Sequence, residues 1–359
     1  MQHKVFPLTA DRPKSLALAL QGGGAHGAFT WGVLDRLLED ERLAIDGISG
    51  ASAGAMNAVA MAAGLQAGGR EGARAMLAAL WQRISGLTRL NPLNSGPVGR
   101  LAQRLDRDGA PSQIALELLT RMFSPYQLNP FDINPLREIL TGLIEFEALS
   151  RADAVPLFIA ATNVATGRVR IFENAELSVD AVLASACLPQ VNQALRIGDA
   201  YYWDGGFAAN PPLFPLIANG GATDILIVQI EAPQREALPT SAPDIRNRLS
   251  QIVFNATLLR EIDALGYMRR MCDTLLPTRN PLARRIRKLN LHSVDGGSAM
   301  HDLSAASKLS PDRQFVDRLR DLGRAQATEW LARHFTEIGR RSTIDLGEDG
   351  DDTALDIAG

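Results

Sequence analysis

The stretch Ile48-Ser49-Gly50-Ala51-Ser52-Ala53-Gly54-Ala55-Met56-Asn57 narrows what this chain can fold into more than any other. A short apolar run enters Gly50-x-Ser52-x-Gly54, and small apolar residues leave it towards Leu65. The pattern predicts a strand, a sharp turn carrying one serine, and a helix that starts at once. Gly50 and Gly54 lack a Cβ, so strand and helix can close around the turn. A helix start also points unpaired N–H groups and a partial positive charge at whatever lies beside Ser52. Such a turn suits a nucleophile whose intermediate carries an oxyanion. The motif alone is unspecific, and its surroundings have to agree.

Upstream, the apolar run Leu16 to Gln21 ends in Gly22-Gly23-Gly24-Ala25-His26-Gly27. Phe29, Val33, Leu34, Leu37 and Leu38 then follow at helical spacing. Strand, glycine loop and helix are expected, with several backbone N–H groups facing one concavity. Such a loop holds either a phosphate or an oxyanion. A P-loop would end in Gly-Lys-Ser/Thr, whereas Gly27 is followed by Ala28-Phe29. A dinucleotide fingerprint wants an acidic residue on the next strand, and Asp46 meets that only roughly.

Composition removes other classes. The chain has 359 residues, 46% hydrophobic and 21% charged, with a net charge of −3. It therefore has ample material for a large core and no electrostatic footprint for nucleic acid. Cys187 and Cys272 are its only cysteines. They exclude a disulfide framework and a cysteine-ligated zinc site, and they fit a reducing, cytoplasmic setting. The longest apolar run, Ala51 to Leu65, is too short to span a bilayer, and Leu16 to Leu20 is too short for a signal-peptide core. Any membrane contact is expected to be peripheral. No metal or cofactor is expected.

Along the rest of the chain, strands are expected over Val155–Thr162, its hairpin partner Gly167–Phe172, Tyr201–Asp204, Ile225–Ile230 and Lys288–Val294. Helices are expected over Ala73–Ile84, Ser112–Phe123, Pro135–Leu143, Val179–Leu188, Asp244–Leu276 and Pro311–Phe335. Alternating strands and helices imply a three-layer α/β/α fold with a mostly parallel central sheet. The organisation read from this is a polar tail at 1–15 and a catalytic domain at 16–235. Within the latter, 66–150 forms a helical, cap-like insertion; a mainly helical extension at 236–340 and an acidic, disordered tail at 341–359 follow. Arg284, Arg285, Arg287 and Lys288 form a basic cluster, either a solvated loop or a contact for anionic lipid headgroups.

A serine nucleophile needs a base. His292, His301 and His334 follow Ser52 in the order usual for α/β-hydrolases, but none has a distinctive setting. A carboxylate acting directly is the alternative, and Asp-Gly-Gly occurs at Asp204 and Asp295. Asp204 ends an aromatic strand, while Asp295 leads into an ordinary turn. Local context favours Asp204 without settling the choice.

Gly22-Gly23-Gly24-x-x-Gly27, Gly50-Ala51-Ser52-Ala53-Gly54, Ala184-Ser185-Ala186-Cys187-Leu188-Pro189 and Asp204-Gly205-Gly206 with Asn210-Pro211 together resemble the patatin-like phospholipase family. The motifs occur in order and at compatible spacings over roughly Leu16 to Ile230. The resemblance implies a patatin-like α/β fold and a serine–aspartate dyad without a catalytic histidine. Ser52 would be the nucleophile, Asp204 the base, and the amides of Gly22, Gly23, Gly24 and Ala53 the oxyanion hole. His26, Gly27, Gly50, Gly54, Gly205 and Gly206 would support them. The implied substrates are acyl lipids, cleaved without a metal; transfer of the acyl group to another acceptor is the alternative, and a non-catalytic lipid- or nucleotide-binding module a third reading. An aspartate at its ordinary pKa of about 3.9 is a weak base, so burial has to raise it. One departure is His26, where the family usually carries a basic residue. If charge there supports the loop, activity is expected to fall above the histidine pKa near about 6.5.

Overall fold

Leu16, Leu18 and Leu20 of strand β1 (Lys14–Leu20) point into one apolar layer, and Ala17 and Ala19 into another. Both faces are buried, as a central parallel strand requires. In this computed structural model the described residues are 13–87, 124–219, 221, 223–230, 238–275, 280–301, 303, 307–308 and 311–344. The helix expected over Ser112–Phe123 and most of the acidic tail lie outside them.

After β1 come helix α1 (Gly27–Leu38), β2 (Leu43–Ala51) and α2 (Ala53–Gly86). The helix expected over Ala73–Ile84 is the second half of α2, broken from the first by non-helical Gly68 and Gly69. Next are α3 (Pro135–Thr141), β3 (Leu157–Asn163), β4 (Val169–Glu173), α4 (Val179–Ser185), β5 (Leu195–Ile197) and β6 (Ala200–Asp204). The chain continues through β7 (Asp224–Val228), α5 (Ala242–Leu275), α6 (Pro281–Lys288), β8 (Asn290–Val294) and α7 (Arg313–His334).

The strands form one mixed sheet in the order β5-β6-β3-β2-β1-β7-β8, with β4 also on β3. β3, β2, β1, β7 and β8 are parallel; β4, β5 and β6 run antiparallel to their neighbours. On one face α1, α2 and α7 pack over Leu18, Leu20 and Val228. On the other, Leu258, Ile262 and Leu265 of α5 cover Ala17, Ala19, Ile225 and Ile227. This is the three-layer α/β/α arrangement expected. The C-terminal region is integral to it, since β8 extends the sheet and α7 lies against α1. Gly32 and Gly323 allow that approach: a Cβ on Gly323 would stand 2.1 Å from the Phe29 carbonyl oxygen.

The register at β3 positions the site. Residues 157–160 of β3 pair with β2, ending at Ala51 opposite Ala160, and residues 161–163 pair with β6, starting at Asp204 opposite Ala161. β4 occupies the other edge of β3 along both stretches. Thus β6 takes over the edge of β3 that β2 leaves, and the end of β6 arrives where β2 turns into α2.

Candidate active site

Ser52 stands at that turn with φ 55° and ψ −123°, outside the conformations a side chain ordinarily allows. Strain of this kind costs on the order of 1–3 kcal/mol and survives only where the surroundings impose it. Here the Ser52 N–H donates to both the hydroxyl and the carbonyl oxygen of Ser185, at 2.9 and 3.1 Å. Gly54 lets α2 start beneath β1: a Cβ there would lie 2.1 Å from the Leu20 carbonyl oxygen. Gly50 packs against Gly54 and Gly27 against Ala53, where a Cβ would stand 2.7 and 2.6 Å away. Asn57, a polar residue within the apolar run, donates to the Gly27 and Ala53 carbonyls at 3.0 Å and accepts from the Trp81 indole at 2.9 Å.

Asp204 is fully buried. Its N–H donates to the Cys187 carbonyl at 2.8 Å, and its carbonyl accepts the Thr162 hydroxyl at 2.7 Å. Oδ1 accepts the Gly206 N–H at 2.8 Å. Burial pushes the carboxyl up to about 6, while the nearby Ser52 hydroxyl, the Gly206 amide and Lys308 pull the other way. Oδ2 has no partner at full hydrogen-bond geometry. The Ser52 contact is thus a close approach rather than a formed bond, as is common in catalytic sites without substrate. Gly205 sits against the Ala160 carbonyl and Gly206 against the Phe254 ring.

The glycine loop lies against Ser52: a Cβ on Gly22 would meet the Ser52 Cβ at 2.7 Å. The Gly22 N–H donates to Asn210 Oδ1 at 2.7 Å, so it is not available to an oxyanion, contrary to the expectation for that residue. Gly23, Gly24 and Ala53 stand at helix starts, where N–H groups have no intrahelical acceptor. His26 also departs from expectation. Its ring is buried, with Nε2 2.8 Å from the Ser307 hydroxyl and the ring edge-on to Phe315. Burial and the Lys308 charge lower its pKa to about 3, so it is neutral wherever the expected loss above about 6.5 would show.

The other candidate bases lie elsewhere. His292 is buried in β8 on Asp224 and Thr343, at 3.0 and 3.1 Å. His334 packs near Trp330 at the end of α7, and the His301 side chain lies outside the described residues. Asp295 is exposed and caps its own turn through Gly297 at 2.8 Å. The basic cluster is at the wrong end of the sheet for the chemistry. Lys288 ends α6 just before β8 begins, whereas Ser52 lies where β2 ends. There Arg285 donates to the Ala218 carbonyl at 3.1 Å and Arg287 pairs with Asp273 at 2.7 Å. A cleft of about 340 Å³ bordered by Ile45, Leu65, Arg70 and Val155 also opens at that far end.

Three features were not foreseen. Asn210 and Ser185 sit in recognised motifs, but their contacts to Gly22 and Ser52 link elements far apart in sequence. Helix α5 crosses the site: Gln21 donates to Asn255 at 2.8 Å, and Asn210 donates to the Phe254 carbonyl at 3.2 Å. Lys308 reaches in from the C-terminal region. Among the described residues no three His, Cys, Asp or Glu side chains gather as a metal site, and no described helix is long and apolar enough to cross a membrane.

A layered α/β/α sheet thus brings a strained serine and a buried carboxyl together beside a glycine loop. Residues 18–217 match the family model Patatin-like phospholipase, and the chain belongs to that family of lipid acyl hydrolases. Among solved structures it is similar to VipD from Legionella pneumophila, with 16% identity and a TM-score of 0.42, covering 90% of this chain and 67% of that one. It is also similar to the heterodimeric ExoU-SpcU complex from the type III secretion system of Pseudomonas aeruginosa. There the identity is 17% and the TM-score 0.33, covering 92% of this chain and 78% of that one. A search of curated proteins gives no match.

Proposed function

We propose that the chain hydrolyses carboxylic esters of acyl lipids with Ser52 as nucleophile and Asp204 as base. The observation that carries this reading is the meeting of a strained, helix-capping serine with a buried carboxyl raised to about 6. Oδ2 of Asp204 takes the hydroxyl proton as Ser52 Oγ attacks the ester carbonyl. The tetrahedral oxyanion is received by the Gly23, Gly24 and Ala53 amides, each worth about 3–4 kcal/mol if lost. On collapse the C–O bond to the alcohol breaks, and the leaving oxygen takes the proton back from Asp204. Asp204 then deprotonates a water that attacks the acyl-serine, and the free acid leaves as Oγ recovers its proton.

A carboxyl near 6 is a far better proton acceptor than one near its usual value, and it is still ionised at neutral pH. Lipid in a bilayer is met from the Ser52 end of the sheet, so the Arg284–Lys288 cluster takes no part. Labelling with a fluorophosphonate should modify Ser52 in the wild type and fail in Ser52→Ala. Mass-spectrometric profiling of a mixed lipid extract should show free fatty acids that both Ser52→Ala and Asp204→Ala abolish. Full turnover in either variant would refute the dyad. An added alcohol acceptor separates hydrolysis from acyl transfer by whether a new ester accumulates.

A further inference from the structure

We infer that Lys308, brought in by the C-terminal region, is a positioning residue whose positive charge keeps the buried Asp204 carboxyl ionised for its work on Ser52. Its catalytic consequence rests on the dyad reading just given; the electrostatic relationship does not.

A carboxylate shut off from water needs a compensating charge or a full set of hydrogen bonds. Among the described residues the Asp204 carboxyl accepts one formed hydrogen bond, from Gly206, and is approached by Ser52. Among the described residues, the elements packed around it supply little charge of their own. The turn after α4 presents Cys187, a thiol that burial pushes up to about 11 and that therefore stays neutral. The start of α1 presents His26, neutral as described. Helix α5 presents Phe254 and Asn255 towards the site and Asn247 and Gln251 beside it. Arg248 of α5 donates to Gln251 Oε1 at 3.4 Å, and Glu261 is engaged with the Leu213 and Phe214 amides at 2.8 and 3.1 Å. Neither is among the groups whose charge acts on Asp204.

Lys308 is placed to do so. The backbone of 307–308 lies on the glycine loop: Ser307 is bonded to His26, and a Cβ on Gly24 would meet the Lys308 carbonyl oxygen at 2.4 Å. From that anchor the ammonium lies 5.6 Å from the centre of the Phe254 ring. The same ring is packed on Gly206, the residue whose amide binds Asp204. The charge of Lys308 favours ionised Asp204 and disfavours protonated His26. The anchoring contacts are made by the Lys308 carbonyl and by Ser307.

The test titrates the Asp204 carboxyl directly, by carbon-13-edited infrared difference spectroscopy of the full chain, with Asp204→Asn as the assignment control. The wild-type midpoint is expected near 6. In Lys308→Met and in Lys308→Gln it should rise by at least about 0.5 pH unit, and in Lys308→Arg it should stay at the wild-type value. The acid limb of soluble-ester turnover should move with it, and Lys308→Arg should restore the wild-type limb. An unmoved midpoint in the folded neutral variants, or an equal rise in Lys308→Arg, overturns the inference. A midpoint that moves in a protein with no Ser52-dependent turnover upholds the Lys308 relationship and removes the esterase reading instead.

Discussion

Asn210 accepts the Gly22 N–H on its side-chain oxygen at 2.7 Å and gives its own amide to the Phe254 carbonyl at 3.2 Å. One fully buried side chain therefore joins the glycine loop, the segment after Asp204 and helix α5. Asn210→Ala should strand the Gly22 amide at a cost of about 1–3 kcal/mol. The loop beside Ser52 then loses its register. A fall in kcat of about tenfold or more, with a smaller change in KM, is expected from steady-state assays on a soluble ester. Unchanged kcat would show that the loop is fixed by other contacts.

The pH profile separates Asp204 from His26. On the dyad reading Asp204 works only when ionised, so kcat/KM should climb through about pH 6 and level off above it. His26, with its pKa near 3, contributes no descending limb around neutrality. Initial rates on a p-nitrophenyl ester, corrected for spontaneous hydrolysis, check both statements. A decline between about pH 6 and 7.5 would restore a charged His26 to the mechanism.

The base should cost stability where it works. Asp204 has a raised folded-state pKa, so the native state holds its proton more tightly than the unfolded chain does. Its contribution is fully present below the ordinary value of 3.8 and is lost as pH rises through about 6. At pH above that window the buried charge costs on the order of 3 kcal/mol. Asp204→Asn, inactive by the dyad reading, should therefore be the more stable protein in mildly alkaline buffer. Urea denaturation across the window should show the advantage shrinking to nothing below about pH 4. A variant less stable at every pH would mean the carboxylate is well compensated.

What could be read from the sequence was what short stretches dictate. Gly50 to Gly54 prescribes its own turn, and the continuous apolar run of β1 prescribes burial on both faces. Ile225 to Val228 likewise announces a central strand. Contacts between distant segments left no local trace: nothing near Asn210 says that it binds Gly22. His26 reads as a titratable switch until Ser307, Phe315 and Lys308 close around it. The Arg284–Lys288 run reads equally as a solvated loop or a headgroup contact, and only the fold shows that it ends α6 at the end of the sheet away from Ser52. Resemblance brought Ser52 and Asp204 forward together, but register along β3 is the physical reason they meet.

The parallel direction of β7 keeps another buried aspartate away from Ser52. Asp224 opens β7, at the end of the sheet opposite Ser52, and is 1% exposed. Burial raises its pKa, but hydrogen bonds from His292 at 3.0 Å, Gly339 at 2.7 Å, Thr223 at 2.8 Å and Asn290 at 3.1 Å outweigh it and hold the carboxyl below its usual value. Its stabilisation is thus present above the ordinary carboxylate pKa and lost as pH falls through the lower folded one. Asp224→Ala would leave the His292 ring and the Gly339 amide without their acceptor and loosen the 339–344 segment, which is paired to Leu291 through Thr343 at 3.0 Å. A loss of about 3–5 kcal/mol in urea unfolding is expected, the scale for stripping one partner from a buried charged network. Turnover per fluorophosphonate-labelled site should nevertheless equal that of the wild type, because no contact of Asp224 reaches Ser52, Asp204 or the glycine loop. If turnover per labelled site fell in step with stability, the two ends of the sheet would be coupled.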